Sequence, residues 1–114
     1  MNSADTVRAL AALAQESRLA IYRLLVKRGP EGYSAGEISE RLAIPGPTLS
    51  FHLKELTQAG LVTPRKASRF IYYSPALRRM QELVGYLTAN CCSQGTVCDV
   101  ACPPTKSSAR RKSA

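Results

Sequence analysis

Apolar side chains recur along the chain at two distinct spacings. Val7, Leu10, Ala11 and Ala14 follow a helical period and predict a first helix over roughly residues 4–14. Leu19, Ala20, Leu24 and Leu25 predict a second from about Ser17 to Arg28, which Gly29-Pro30 ends. Ser34-Ala35-Gly36-Glu37 fits a capping box and opens a short helix through Leu42. Ala43-Ile44-Pro45-Gly46 breaks the pattern. Pro47 then suits the first position of a fourth helix, which runs to Ala59 and stops at Gly60. Leu61-Val62-Thr63 and Phe70-Ile71-Tyr72-Tyr73 are β-rich runs around a basic turn, Pro64-Arg65-Lys66-Ala67-Ser68-Arg69. Ser74-Pro75 predicts the start of a fifth helix that reaches about Asn90.

Five helices and a two-stranded wing make a mainly α chain with a small β-hairpin. Two short helices joined by a Pro/Gly turn and followed by a basic hairpin form a winged helix-turn-helix. In the fourth helix Leu49, Leu53 and Leu56 lie at i, i+4 and i+7 and define the buried stripe. Pro47, Phe51 and Lys54 fall opposite it, with Thr48 and Ser50 on its flanks and His52 nearer the stripe. Small polar groups near the helix start suit base edges or phosphates, Lys54 a phosphate, and Phe51 a thymine methyl. Arg65, Lys66 and Arg69 in the hairpin are placed to follow the DNA backbone or enter the minor groove. His52, the single histidine, is expected to pack or hydrogen-bond rather than to bind a metal.

Leu77, Met80, Val84, Leu87 and Cys91 repeat at 3-4-3-4 spacing in the fifth helix, a coiled-coil-like seam. Together with Val7 and Leu10 of the first helix, this seam is the expected interface of a homodimer.

Composition adds a formal charge of +8 over 114 residues, which points to a polyanionic partner. Lys106, Arg110, Arg111 and Lys112 fall in a Pro/Ser-rich stretch read as a disordered tail over 103–114. Setting those four aside from the 16 basic side chains leaves 12 against 8 acidic ones, so the folded part carries only +4. The placement of the charge therefore says more than its sum. No apolar run is long enough for a membrane span, and the first residues lack a signal-peptide pattern. A cytoplasmic protein without a membrane partner or protein substrate is expected, with a single domain over 1–102.

All four cysteines, Cys91, Cys92, Cys98 and Cys102, fall within twelve residues. An extracellular disulfide framework would spread them, whereas a tight cluster in a reducing compartment suggests metal or thiol chemistry. No Cys-x-x-Cys and no phosphate-binding Cys-x5-Arg occurs, and the histidine lies in the DNA-reading helix, so an enzyme is not expected.

Ser17-Arg18-Leu19, Gly36-Glu37-Ile38 and Leu49-Ser50-Phe51-His52-Leu53 through Ala59-Gly60-Leu61-Val62 resemble the ArsR/SmtB repressors, over roughly residues 5–90. The resemblance implies a homodimer that holds double-stranded operator DNA until an ion binds. It also places Pro47, Thr48, Ser50, Phe51 and His52 in the operator-reading stretch. Phe51 departs from the basic residue that many members carry there. Gly36 to Glu40 lacks the cysteines of one familiar ion site. With no histidine and only Glu82 as an acid between Arg69 and Asn90, a zinc site across the fifth helices cannot be built either. The vicinal pair Cys91-Cys92 followed by Cys98 resembles a subgroup of arsenic-responsive members. Soft thiolates suit trivalent arsenic or antimony, three sulfurs complete its pyramid, and two serve a methylated arsenical. Cys102 is a spare sulfur. No organic cofactor is implied. A zinc-responsive or other thiophilic-metal site, and a thiol-redox switch pairing Cys91 or Cys92 with Cys98 or Cys102, remain as alternatives.

Overall fold

Helix boundaries follow local capping chemistry. In the computed structural model, which describes residues 1–95, helix α1 (Ser3–Leu13) starts where Asn2 Oδ1 accepts the Asp5 amide at 2.8 Å. Helix α2 (Glu16–Arg28) starts where Gln15 Oε1 accepts the Arg18 amide at 2.9 Å. Each bond satisfies an amide that the first helical turn leaves without a partner. Lys27 and Arg28 close α2 on the side its dipole favours, and Gly29 turns the chain with φ +87°.

A two-residue strand β1 (Tyr33–Ser34) precedes α3 (Ala35–Leu42). The capping box read from the sequence is present: the Glu37 amide donates to Ser34 Oγ at 3.2 Å, and the Ser34 amide donates to Glu37 Oε1 at 2.9 Å. Helix α4 spans Gly46–Gln58, followed by β2 (Val62–Ala67), β3 (Phe70–Pro75) and α5 (Leu77–Thr88). The antiparallel sheet has the order β1-β3-β2, with Tyr33 opposite Tyr73 and pairs from Val62–Pro75 to Ala67–Phe70. β2 lies at the edge, which is where a strand tolerates a residue such as Pro64 that has no amide hydrogen.

Several details differ from the sequence reading. The sheet has three strands, because β1 is too short for any alternation to reveal it. The hairpin strands extend toward the tip, leaving only Ser68 and Arg69 between them, so Arg65 and Lys66 sit on β2 rather than in a turn. Ser74-Pro75 completes β3 instead of starting α5, whose N-cap is Ala76 without a side-chain cap, and the helix ends at Thr88. Pro47 is the second residue of α4 rather than the first, with Pro45 at its N-cap.

The core centres on Ile21, Leu25, Ile38, Leu49, Leu56 and Leu61, all fully buried. Helix α1 adds Thr6, Ala9 and Ala12, so its packing face is not the Val7-Leu10-Ala11-Ala14 stripe. Helix α5 fully buries only Leu83, with Met80 half-buried against the same cluster. Among the described residues no helix is long and apolar enough to cross a membrane.

Candidate nucleic-acid interface and cysteine pair

The α4 helix presents two chemically different faces. Leu49, Leu53 and Leu56 are buried, as their spacing requires, while Pro47, Thr48, Ser50, Phe51 and Lys54 are exposed. The turn before α4 is held by the Ser39 hydroxyl, which donates to the Ile44 carbonyl, and by Ala43 in the left-handed region. These contacts fix how α4 leaves α3. His52 belongs with the buried side at 7% exposure. Arginine can only donate, so Arg18 Nη1, 3.4 Å from His52 Nδ1, meets an acceptor nitrogen. Burial, and then the adjacent Arg18 cation, hold the imidazole below its usual pKa and keep it neutral near pH 7.

The wing separates its basic residues. Arg69 occupies the tip beside Ser68, whose φ is +61°, and Lys66 is exposed on β2. Arg65, also exposed on β2, makes contacts within the chain: it donates to the Glu31 carbonyl at 3.1 Å, and its guanidinium lies 5.3 Å from the centre of the Tyr72 ring. It therefore braces the wing against the loop after α2. Sequence reasoning passed over Phe70 and Ile71, exposed apolar residues next to the tip. It also passed over Arg28 and Arg41, whose guanidiniums both lie over the Tyr33 ring, at 4.9 and 4.5 Å. Arginines near aromatic rings leave no periodic trace, so nothing in the sequence marked these pairs.

Five of the six residues assigned to a dimer interface are exposed in the single chain: Val7, Leu10, Leu77, Val84 and Leu87. Met80, the sixth, is half-buried. At the far end of α5, Ala89 and Asn90 lead to Cys91 and Cys92, both exposed, with their sulfurs 3.5 Å apart. Cys92 adopts φ +63°. Cys98 and Cys102 lie outside the described residues, as does the 103–114 segment. Among the described residues no three histidine, cysteine or acidic side chains come together as a metal site.

Comparison with known proteins agrees with this arrangement. A helix-turn-helix domain model matches residues 13–65. The uncharacterized HTH-type transcriptional regulator YceK of Bacillus subtilis is 47% identical over 74 residues, covering 63% of this chain and 73% of YceK. A putative arsenical resistance operon repressor, ArsR of Halobacterium salinarum, is 39% identical over 69 residues, covering 60% of this chain and 53% of that one. The solved ArsR-like transcriptional regulator from Rhodococcus sp. RHA1 superposes with a TM-score of 0.67 at 28% identity, over 74% of this chain and 76% of that one. Mb0332 of Mycobacterium bovis, a homodimeric winged helix-turn-helix DNA-binding domain, superposes with a TM-score of 0.61 at 26% identity, covering 82% and 87% of the two chains. These relatives are regulators of transcription rather than enzymes, and a helix-turn-helix implies DNA as the partner. Fold, reading helix and relatives agree: the chain belongs to the ArsR/SmtB family of winged-helix transcriptional regulators.

Proposed function

We propose that the protein is a homodimeric repressor that leaves its operator when trivalent arsenic or antimony is captured by Cys91, Cys92 and Cys98. One observation carries the proposal. Two sulfurs stand exposed and 3.5 Å apart just beyond α5, the helix whose apolar seam is open in the single chain. Once both are reduced, two soft donors this close can share one thiophilic ion, at less ordering cost than two brought together from distant segments. A third ligand has to come from beyond Gly95, where Cys98 is the nearest cysteine in sequence and Cys102 a spare. A methylated arsenical, needing two sulfurs, is met by Cys91 and Cys92 in their reduced form. The halobacterial relative, named for arsenical resistance, supports the same ligand class.

In this reading Val7, Leu10, Leu77, Met80, Val84 and Leu87 face a second copy; the mycobacterial relative is itself homodimeric. Pro47, Thr48, Ser50, Phe51 and Lys54 meet the major groove, and Lys66 and Arg69 of the wing meet the backbone or minor groove. His52 stays under the reading face and supports it, and Arg65 braces the wing from its base. The domain runs to about Cys102, with the cysteine segment at its end and the basic 103–114 segment as a tail. Ligation by the cysteines acts at the C-terminal end of α5, beside the interface that sets the separation of the two reading heads. A ligand moves such an equilibrium only through its preference for one state, so the ion has to bind the DNA-free form more tightly.

The test is operator release followed by fluorescence anisotropy on the protein's own promoter DNA, with arsenite, antimonite, zinc and peroxide titrated in parallel. Release by arsenite is expected for wild type and Cys102→Ser, and is lost in Cys91→Ser, Cys92→Ser and Cys98→Ser. Promoter binding that ignores arsenite and yields to zinc or peroxide would replace this sensor with one of the alternatives.

A further inference from the structure

We infer that Arg18 is a positioning residue: its guanidinium ties the last turn of α1 to the imidazole of His52 on α4 and so sets how the reading helix stands against the dimer face. The inference rests on the assignment of α4 to DNA and of α1 to the dimer. Three observations support it.

The first concerns α1. Its final carbonyls have no amide partner within the helix. Arg18 Nε donates to one of them, Ala12 O, at 2.7 Å. The second concerns α4. A buried imidazole needs a partner, and Arg18 Nη1 supplies it at 3.4 Å. His52 follows Phe51 and Ser50 directly, so a shift of its ring moves the exposed face of the helix with it. The third concerns Arg18 itself. It sits in the first turn of α2, its amide held by Gln15 Oε1. Among the described residues it has no carboxylate within ion-pair distance, so its two hydrogen bonds set its direction.

An open groove lined by Val7, Ala11, Glu55 and Gln58 runs between α1 and α4, with Arg18 on its wall. Close packing therefore does not fill this part of the space between the two helices, and the Arg18 strut bridges it beside the core that Ala9, Ala12, Leu53 and Leu56 share. The charged groups lining this groove are Arg8 of α1, Arg18 of α2 and Glu55 of α4. Of these, Arg18 touches His52. Because the acceptor is a neutral imidazole, protonation turns the strut into a contact between two cations.

The chain has a single histidine, so its NMR titration reports His52 without ambiguity. The experiment pairs that titration with promoter and non-promoter DNA affinities for full-length wild type, Arg18→Gln, Arg18→Lys and His52→Gln. In Arg18→Gln the His52 midpoint is expected to rise, since a neighbouring cation is gone. Promoter affinity falls by about tenfold, the scale of one charged hydrogen bond. Non-promoter affinity and the dimer remain as in wild type. Arg18→Lys keeps the low midpoint but recovers promoter affinity only in part, because one ammonium cannot serve both partners as the guanidinium does. Adding His52→Gln to Arg18→Gln costs less than the sum of the two.

An unmoved His52 midpoint, or unchanged promoter affinity in Arg18→Gln, overturns the inference. So does an equal loss on both DNAs accompanied by a lower melting temperature, which would make Arg18 a general stabiliser. Wild-type protein that fails to select its promoter contradicts the assignment of α4 to DNA and the coupling with it. The titration, which needs no DNA, then shows separately whether the strut exists.

Discussion

Side chains of the same charge do different work here, and the structure sorts them. Arg65, itself exposed, donates to the Glu31 carbonyl and lies near the Tyr72 ring, whereas Lys54 on α4 and Arg69 at the wing tip are exposed on the two elements proposed to read DNA. A phosphate contact releases counterions, so Lys54→Ala and Arg69→Ala are each expected to lower the salt dependence of DNA binding by about one unit of slope. Arg65→Ala should leave that slope nearer wild type and instead lower the melting temperature; affinity measured across a salt series, with a melt for each variant, checks this. His52 carries a stability prediction. Its folded pKa lies below the unfolded value, so between the two the unfolded chain binds more protons. Stability from this group is complete above about pH 6.5, falls as pH drops toward the lowered folded value, and falls no further below it. Denaturant unfolding across pH should show that step in wild type and not in His52→Gln.

Element boundaries depend on a few backbone conditions. Gly32 has φ +76°, and a Cβ there would lie 2.6 Å from the Tyr73 carbonyl oxygen, a backbone atom with little room to move. Gly32→Ala is therefore expected to cost about 2 kcal/mol and to loosen β1 from β3, measured by denaturant unfolding and amide exchange at Tyr73. Elements with periodic or capping signals were legible in the sequence: the α3 box, the Leu49-Leu53-Leu56 stripe, and the rise of β2 and β3. What was not legible depended on tertiary contact. Strand β1 exists because Tyr33 and Ser34 meet β3, which alternation over two residues cannot announce. Ser74-Pro75 looks like a helix start locally, but ladder pairing to Val62 and Thr63 keeps both residues in the strand. The site divides the same way. The exposed face of α4 followed from its period, while the Arg18–His52 contact joins residues 34 apart and had no local signal.

At the scale of the whole molecule, α5 is only half accounted for by one chain. It fully buries Leu83, and its ion pairs from Arg79 to Asp5 and Glu82, at 3.8 and 3.7 Å, are partly exposed and worth little. Val84 and Leu87, 44% and 56% exposed, are among the positions open to the proposed second copy. Leu87→Glu should therefore give a folded monomer with weakened promoter binding, seen by sedimentation and circular dichroism. Leu83→Ala should instead destabilise the fold by about 2–5 kcal/mol, as truncation of a buried leucine does. If Leu87→Glu left the dimer intact, the interface would lie elsewhere. The proposed arsenic response carries a reciprocity that linkage in a two-state dimer requires. Whatever factor the ion takes from operator affinity, operator DNA has to take from ion affinity.

Arsenite affinity measured with and without saturating promoter DNA therefore tests the central claim most directly. A fall in arsenite affinity on DNA, equal to the fall in DNA affinity on arsenite and absent in Cys91→Ser, is the predicted result. Arsenite affinity unchanged by promoter DNA would contradict the switch.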